Sequence, residues 1–534
     1  MSRTMTIALR ASVLMLALLI GLAPGHAARS VPLDQATIAD VNAAFQAGTL
    51  TSEALVKFFL ARIEAFDRKG PALHAILTLN PKAVDTARAL DAERKTRGPR
   101  SPLHGIPIVL KDNFDTADMP TTGGSVLLEG SVPPDDAFVV KKLRDAGAIV
   151  LAKVNMSEFA SGAALSSLGG QSLNPHDLAR TPSGSSGGTG VAIAAAYAMA
   201  GLGTDTGGSV RGPSTANGLA GLKPTHGLLS RDGIIPLALS FDTAGPLARS
   251  VYDIAAVLGV MTGVDPADEA TTKSEGRFET DYTKFLDAGA LKGARIGVAR
   301  DFFGADEEVD WVMDSALEAM RRAGATTVDV RYPKWLLDSK GEFYNAVRWP
   351  EFPVQIAQYL KTTGPKYPKT LSEMIERSRR FTALRADGAQ PNPPRWSLFV
   401  REAASGTLDD ARYTSVHDHV LPAIRLVMDG LLQSDRLDAI VYPTSSRRPA
   451  LVAGPGDPSG TPTATNIANL TGYPDLIVPA GFTSDRLPVG ISFFGPAFSE
   501  PRLLALGYSF EQATRARRLP VHAPALAGEV LTVP

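Results

Sequence analysis

The chain has 534 residues, of which 44% are apolar and 20% are charged, so intrinsic disorder is excluded and the chain can bury one or more cores. Its formal charge of −1 and lack of a local Lys/Arg cluster offer nothing to nucleic-acid phosphates, and we expect no nucleic-acid partner. The absence of cysteine excludes disulfides, thiolate zinc sites and a cysteine nucleophile.

The first 27 residues have the pattern of an export signal. Arg3 and Arg10 precede a mostly apolar run from Ala11 to Ala23, and the small residues Gly25 and Ala27 precede a possible cleavage site. As a helix this run is roughly 20 Å long, which is short of the ~30 Å hydrocarbon core, so a retained membrane anchor is the weaker alternative. We predict a signal peptide over residues 1–27 and a mature chain, 28–534, that is periplasmic or secreted without stable membrane association.

The next segment indicates two helices and then a parallel sheet. Apolar residues recur at helical spacing from Thr51 to Phe66 and from Pro81 to Arg94. The apolar run Ile106 to Leu110 is too short for a helix and predicts a buried strand that ends at Lys111. A helix and a second buried strand, Ala148 to Ala152, follow. Strand, helix and strand in succession are typical of a parallel sheet.

Glycine, serine and threonine dominate from Leu165 to Gly227, but the alanine-rich stretch Val191 to Ala200 within it predicts a helix. Mostly helical sequence then runs to about Gln433, after another strand, helix and strand. No composition break divides the chain into domains. The sequence predicts a helix over Asp306–Ala323. The further predicted strands are Ala294–Val298, Thr326–Val330, Asp438–Val441, Asp475–Val478 and Pro488–Phe493.

Several residues could carry hydrolytic chemistry. The run Gly184 to Gly188 satisfies the G-x-S-x-G pattern around Ser186, but the polar, proline-containing sequence before it does not predict the strand that a nucleophile elbow needs. His104 and His226 lie near the glycine-rich region and are candidate bases, although single histidines among turn residues are more often structural. His417 and His419 would point in different directions on a helix, so they do not predict a metal site.

Two serines flank the predicted alanine-rich helix. Ser185 precedes it, and Ser209 follows a short extended stretch that returns along it. Counted from Gly190 to Ala200, the helix advances about 16 Å at ~1.5 Å per residue, and six extended residues returning to Ser209 cover about 20 Å at ~3.3 Å each, so Ser209 can lie beside Ser185. The alternative is that the glycines around both serines only allow close packing of helix on strand.

The run from Gly184 through Arg211 resembles the signature of the amidase signature family of serine amide hydrolases. The segment Leu103 to Asn113 resembles the lysine-bearing strand of that family, and similar blocks follow at Gly221–Thr225, Asp242–Pro246 and Leu487–Gly490. The resemblance therefore covers nearly the whole mature chain. One departure is Ser183, where members of the family often have glycine.

The resemblance implies a role for each matching residue. Ser209 would be the nucleophile, Ser185 the bridging hydroxyl after a cis peptide bond, and Lys111 the base. A lysine can act as a base near neutral pH only if its reference pKa of ~10.4 falls by roughly three units, about 4 kcal/mol, which burial can supply. The backbone N–H groups of Thr206, Gly207, Gly208 and Ser209 would form the oxyanion hole, and Asp205 and Arg211 would order the loop.

The resemblance also implies one α/β domain, a mixed twisted sheet covered by helices on both faces, with the helical region from about 344 to 433 near the substrate entrance. No metal, cofactor or obligate protein partner is implied. The stretch Ser230–Pro236 and the ending Thr514–Arg518 look most like peptide amidases, so we expect a C-terminal peptide amide or a small acyl or aryl amide as substrate. The alternatives are an amidase subunit of a glutamyl-tRNA amidotransferase, or a non-catalytic binding protein on the same fold.

Overall fold

A computed structural model describes residues 29–162, 164–380, 393–453 and 465–533. The predicted signal peptide, residues 1–27, lies outside the described residues. Within them, no helix is long and apolar enough to span a membrane.

In the described part of the chain, eleven strands form one mixed central sheet. Its strands, in order across the sheet, are β11 (Thr326–Val330), β10 (Arg295–Ala299), β12 (Ala439–Pro443), β14 (Pro488–Phe494), β13 (Asp475–Phe482), β8 (Ala220–Lys223), β9 (Thr243–Ala248), β7 (Ala200–Asp205), β3 (Pro107–Lys111), β4 (Ile149–Val154) and β2 (Ile76–Leu79). The pairs β3/β4, β3/β7, β10/β11 and β10/β12 are parallel and the other neighbours are antiparallel. The predicted mixed α/β sheet is therefore confirmed.

Helices cover this sheet. The α-helices of the described residues are α1 (Ile38–Ala47), α2 (Ser52–Arg62), α3 (Ala83–Arg97), α4 (Phe138–Asp145), α5 (Gly187–Ala194), α6 (Arg211–Ala216), α7 (Val251–Met261), α8 (Glu307–Arg322), α9 (Lys334–Leu360), α10 (Leu371–Arg380), α11 (Pro393–Ala403), α12 (Ala411–Thr414), α13 (Leu421–Ser434), α14 (Thr465–Thr471) and α15 (Glu500–Thr514). Two short pairs, β1 (Arg29–Pro32) with β15 (Val530–Val533) and β5 (Leu165–Ser166) with β6 (Gly170–Gln171), complete the strands.

Local sequence accounts for several helix boundaries. Thr51 caps α2 by accepting from the Ala54 N–H at 3.1 Å, and Asp306 caps α8, which has acidic residues in its first turn and arginines in its last. The helices α7, α8 and α15 pack together on the sheet, while α5 and α6 pack on each other against β7 and β8. The fully buried strands β3, β4, β7 and β8 therefore lie inside the main hydrophobic core.

The helix predicted over Val191–Ala200 differs in its bounds. It begins at Gly187 and ends at Ala194, and Ala196 has a left-handed backbone with φ of 55°. Ala200 already belongs to β7, where it pairs with Ile108 on one side and Ala248 on the other. Sheet pairing on both sides therefore outweighs the helix propensity of alanine, which is only a fraction of a kcal/mol per residue.

Candidate active site

Lys111 is the last residue of β3 and is fully buried. Its Nζ lies 2.7 Å from Ser185 Oγ and 2.7 Å from Thr204 Oγ1. Asn113 Nδ2 also donates to Thr204 Oγ1, at 3.0 Å. Strand β3 thus places a lysine amine beside a group of hydroxyls at the carboxyl end of its parallel strands. In α/β proteins, ligand sites commonly lie at this end of parallel strands.

Burial lowers the pKa of Lys111 from 10.5 to about 7, although the carboxylates of Asp205 and Asp242 act in the opposite direction. Lys111 is therefore neutral far more readily near pH 7 than an exposed lysine is. A neutral amine has a lone pair that can accept a proton from a hydroxyl at hydrogen-bond distance.

Ser185 and Ser209 belong to two segments whose backbones are adjacent. The Ser186 N–H donates to the Ser209 carbonyl at 3.2 Å, and the Ser157 N–H donates to the Ser185 carbonyl at 3.0 Å. The peptide bond between Gly184 and Ser185 is cis, as the resemblance implied. Ser185 is buried, whereas Ser209 is partly exposed. The structure therefore brings Lys111, Ser185 and the Ser209 backbone to one place, with Ser209 on the solvent side.

The first turn of α5, which follows Ser185, packs closely against the backbone of Asn155. A Cβ on Gly188 would lie 2.2 Å from the backbone oxygen of Asn155 and 2.6 Å from its nitrogen. Backbone atoms cannot move away as a flexible side chain could, so only glycine fits. The glycine-rich sequence therefore also allows close packing of helix on strand.

Asp205 and Arg211 form a buried network that holds the loop between them. Asp205 accepts from the N–H groups of Gly208 (2.9 Å) and Val210 (3.0 Å) and from the Arg211 guanidinium. Burial alone would raise the pKa of Asp205, but Arg211 and the surrounding donors hold it well below its usual range. Arg211 also contacts Asp475 at 3.0 Å and Asn469 at 2.6 Å. These contacts are those expected of two loop-ordering residues.

The predicted oxyanion hole needs one correction. The Gly208 N–H donates to the Asp205 carboxylate, so it cannot also face a substrate oxygen. Gly208 has φ of 117°, a conformation that suits glycine and turns this N–H towards Asp205. Among the described residues, the N–H groups of Thr206, Gly207 and Ser209 donate to no protein atom. These three remain candidates for the oxyanion hole.

The sequence did not predict the role of Asp242. The Thr206 hydroxyl donates to Asp242 Oδ1 at 2.5 Å, and Asp242 Oδ2 accepts from the N–H groups of Leu237 and Ala238. Burial raises the pKa of Asp242 to about 6. Its position in the block Asp242–Pro246 marked it as part of the family pattern, but only the fold reveals that it holds Thr206.

Helix α9 lies over the candidate loop. A Cβ on Gly207 would lie 2.8 Å from the Tyr344 hydroxyl, and the Tyr344 ring stacks on Phe241 with centroids 5.3 Å apart. The helical region expected from about residue 344 to 433 thus contacts the site at its first residue. The helix itself begins ten residues earlier, at Lys334.

The structure assigns other roles to the remaining candidates. No strand precedes Ser186, and its hydroxyl contacts the backbone of Thr204, so the elbow interpretation is wrong. His104 lies at the opposite end of β3 from Lys111 and contacts the Leu90 carbonyl. His226 contacts the Leu239 carbonyl and Arg231, and burial lowers its pKa to about 3.

His417 and His419 both lie in the helical turn Ser415–Val420, and His417 Nδ1 contacts Asp418 Oδ1 at 2.6 Å. In the part of the chain that the structure describes, no three His, Asp or Glu side chains are grouped so that they could hold a metal. His417 is therefore explained by its contact with an adjacent carboxylate.

Known proteins resemble this chain along most of its length. A family model described as Amidase matches residues 54–504. One subunit of the glutamyl-tRNA(Gln) amidotransferase of Halorhodospira halophila is 36% identical over 90% of this chain and 98% of its own.

Two solved structures of peptide amidases also match. They are PAM with the competitive inhibitor chymostatin and the native enzyme from Stenotrophomonas maltophilia. The PAM structure is 39% identical with a TM-score of 0.83, and the match covers 91% of this chain and 99% of that one. The Stenotrophomonas maltophilia structure is 38% identical with a TM-score of 0.82, and the match covers 92% of this chain and 99% of that one.

Proposed function

The chain belongs to the amidase family and is an amide hydrolase, and from this premise we propose that it cleaves C-terminal peptide amides through an acyl-enzyme on Ser209. Lys111 is the base of the proposed reaction and Ser185 relays the proton. The observation that carries the proposal is the 2.7 Å contact between Lys111 Nζ and Ser185 Oγ in a buried site where the pKa of Lys111 is about 7.

The proposed reaction begins with neutral Lys111. Its Nζ accepts the proton of Ser185 as Ser185 Oγ accepts that of Ser209, and Ser209 Oγ attacks the amide carbonyl carbon. The tetrahedral oxyanion accepts hydrogen bonds from N–H groups among Thr206, Gly207 and Ser209, each typically worth ~3 kcal/mol. The relay then returns a proton to the departing nitrogen, and ammonia or an amine leaves. Water attacks the acyl-enzyme by the same route, releasing the acid and restoring Ser209.

The structural relatives support a peptide amide as substrate. The match covers 99% of the chain in each peptide amidase structure. Their identities of 39% and 38% are above the 36% of the amidotransferase relative. The stretch Ser230–Pro236 gives the same indication from the sequence. Arg231 in this stretch contacts His226 and the Leu239 carbonyl and pairs with Asp268, so it fixes the segment that leads to Asp242. A small acyl or aryl amide is the broader possibility.

The test is a comparison of substrates on the purified protein. Dipeptide amides should release ammonia and the free dipeptide, and the same dipeptides as free acids should remain intact. The control variant is Ser209→Ala. Hydrolysis of small aryl amides with no turnover of any peptide amide would contradict the substrate class while leaving the amidase mechanism in place.

A second candidate function is that of one chain of an amidotransferase complex, favoured by relatives such as the Halorhodospira halophila protein. Such a chain would need partner chains, whereas we propose that this protein acts without an obligate partner. Size-exclusion chromatography with light scattering gives the oligomeric state of the purified chain, and the peptide amide assay gives its activity. Together these measurements distinguish the two candidate functions. Full activity of the purified single chain supports the first proposal, and activity only after addition of other chains supports the second.

We also propose that the protein is exported and acts in the periplasm or outside the cell. The proposal rests on the charged start, apolar run and small residues of the segment 1–27. N-terminal sequencing of protein from a periplasmic or secreted fraction should begin at Ala28. Intact residues 1–27 on membrane-bound protein would contradict this.

A further inference from the structure

A cavity apart from the candidate catalytic residues lies beside the segment Leu237–Asp242. It has a volume of about 550 Å³, which is in the range of small-ligand sites, and it is open to solvent. Its lining includes Arg231, Lys273, Glu351, Tyr413, Arg425 and Phe498. Leu239 and Ser240 face this cavity, while Asp242, a few residues on, contacts Thr206 of the candidate catalytic loop. Ser209, Ser185 and Lys111 do not line it.

Two cations at this cavity lack a carboxylate partner. Among the ion pairs of the described residues, none contains Lys273 or Arg425. Arg425 Nε donates to the Thr471 carbonyl at 3.0 Å, and within the described residues neither terminal nitrogen of its guanidinium donates to a protein atom. A guanidinium with two free parallel N–H groups matches the two oxygens of a carboxylate or phosphate.

The carboxylates around the cavity are committed elsewhere. Glu351 accepts from the Ser240 hydroxyl and N–H, from Gln355 and from Tyr413, so both its oxygens are occupied. Asp268 pairs with Arg231, and Asp429 accepts from the Tyr473 hydroxyl at 2.6 Å. Glu351 keeps its negative charge at the cavity, but in the described part of the chain neither it nor Asp268 forms an ion pair with Lys273 or Arg425.

The cations also repel one another. The pKa of Lys273 is lowered by partial burial and by the guanidinium groups of Arg425 and Arg231, and nearby Asp268 and Glu269 only partly offset this. Partial desolvation likewise lowers the pKa of Arg425, although Lys273 and Arg425 are both exposed residues. Like charges held together at a cavity are stabilised by an anion that binds between them.

We propose that this cavity binds a small oxyanion ligand, a phosphate or carboxylate compound, whose charged group lies between Lys273 and Arg425. The ligand's uncharged part occupies the cavity towards Tyr413 and Phe498. The site is separate from the candidate catalytic residues, and its occupancy does not depend on which amide the enzyme cleaves.

Isothermal titration calorimetry on the full chain tests the proposal, with inorganic phosphate in one arm and citrate in the other, in Tris chloride at low ionic strength. At least one anion should bind with 1:1 stoichiometry, and the arm that binds more tightly identifies the group. The double variant Lys273→Ala/Arg425→Ala should bind at least about ten-fold more weakly, since it loses charge-assisted hydrogen bonds.

The matched control is Lys292→Ala/Arg97→Ala, which removes one exposed lysine and one exposed arginine that form no ion pair in the described part of the chain. It should retain the affinity of the unmodified protein, as should Ser209→Ala. The proposal would be overturned if neither phosphate nor citrate bound at about 10 mM. It would also be overturned if the two double variants bound the anion with equal affinity. Loss of binding in Ser209→Ala alone would place the anion at the catalytic serine and would also overturn it.

Discussion

Lys111 and Lys223 are both fully buried at the ends of strands, and burial lowers the pKa of each to about 7. Their partners differ. Lys111 Nζ faces the hydroxyls of Ser185 and Thr204, whereas Lys223 Nζ donates to the carbonyl oxygens of Pro224 at 3.1 Å and Tyr473 at 2.9 Å. A carbonyl has no proton to give, so of these two lysines only Lys111 can act as a base towards its partner. A lowered pKa alone therefore does not identify a catalytic lysine.

The largest expected effect separates the two lysines by activity. Lys111→Met should lower kcat/KM for an amide by about 10³-fold or more, because it removes the base of the relay. Lys223→Met removes an equally buried amine and should lower kcat/KM by less than about ten-fold. Steady-state kinetics on both folded variants, checked by circular dichroism, measures this. Equal losses in the two variants would mean that the contact with Ser185 has no special role.

The leaving group sharpens the same comparison. An ester alkoxide needs less protonation on departure than an amine, so Lys111→Ala should lose amide hydrolysis by about ten-fold or more beyond its loss of ester hydrolysis. The quantity to measure is the ratio of the two rates on substrates with the same acyl group. An unchanged ratio would show that Lys111 does not protonate the leaving nitrogen. Full amide turnover by Lys111→Ala would show that Lys111 is not the base.

The pH profile follows from the neutral form of Lys111. Below its pKa of about 7 the amine is protonated and inactive, so kcat/KM should rise about ten-fold per pH unit and become constant above that pKa. Lys223→Met should keep this inflection. If the inflection disappears in Lys223→Met, the wrong lysine has been assigned to the reaction.

Stability should depend on pH through both lysines. The folded pKa of Lys223 is about 7 and the unfolded value is ~10.4, so between these pH values unfolding takes up a proton and the free energy of unfolding rises with pH. Relative to Lys223→Met, the unmodified protein should gain about 1.4 kcal/mol per pH unit within this interval. Urea denaturation at three pH values measures the difference. Parallel stability curves would show that Lys223 is charged in the folded protein.

Much of the fold could be predicted from the sequence because its strands are short apolar runs. The strand ending at Lys111 is found where its apolar run predicts it, and the β-branched stretch Thr326–Val330 is also a strand as predicted. Strands β8 and β9 were missed because Gly221, Gly245 and Pro246 reduce strand propensity. In the structure, glycine there allows close approach, since a Cβ on Gly245 would lie 2.3 Å from the Leu222 carbonyl oxygen. Tertiary packing thus overrides local propensity.

The candidate site was predictable only in part. Lys111, Ser185, Ser209, Asp205 and Arg211 lie in recognisable motifs. The partners Asp475 and Asn469 are more than 250 residues from Arg211 in the chain, so no local pattern could assign them. The Gly208 N–H was placed in the oxyanion hole because the sequence cannot give the direction of a backbone donor.

The central claim is that Ser209 is the nucleophile activated through Ser185 and Lys111. Its most direct test is to treat the protein with a fluorophosphonate near pH 8 and locate the adduct by peptide mass spectrometry, with Lys111→Met, Ser186→Ala and Ser209→Ala in parallel. We predict one adduct, on Ser209, that forms at an unchanged rate in Ser186→Ala, at least about 100-fold more slowly in Lys111→Met, and never in Ser209→Ala. An adduct on Ser186, or labelling of Lys111→Met at the full rate, would contradict the mechanism.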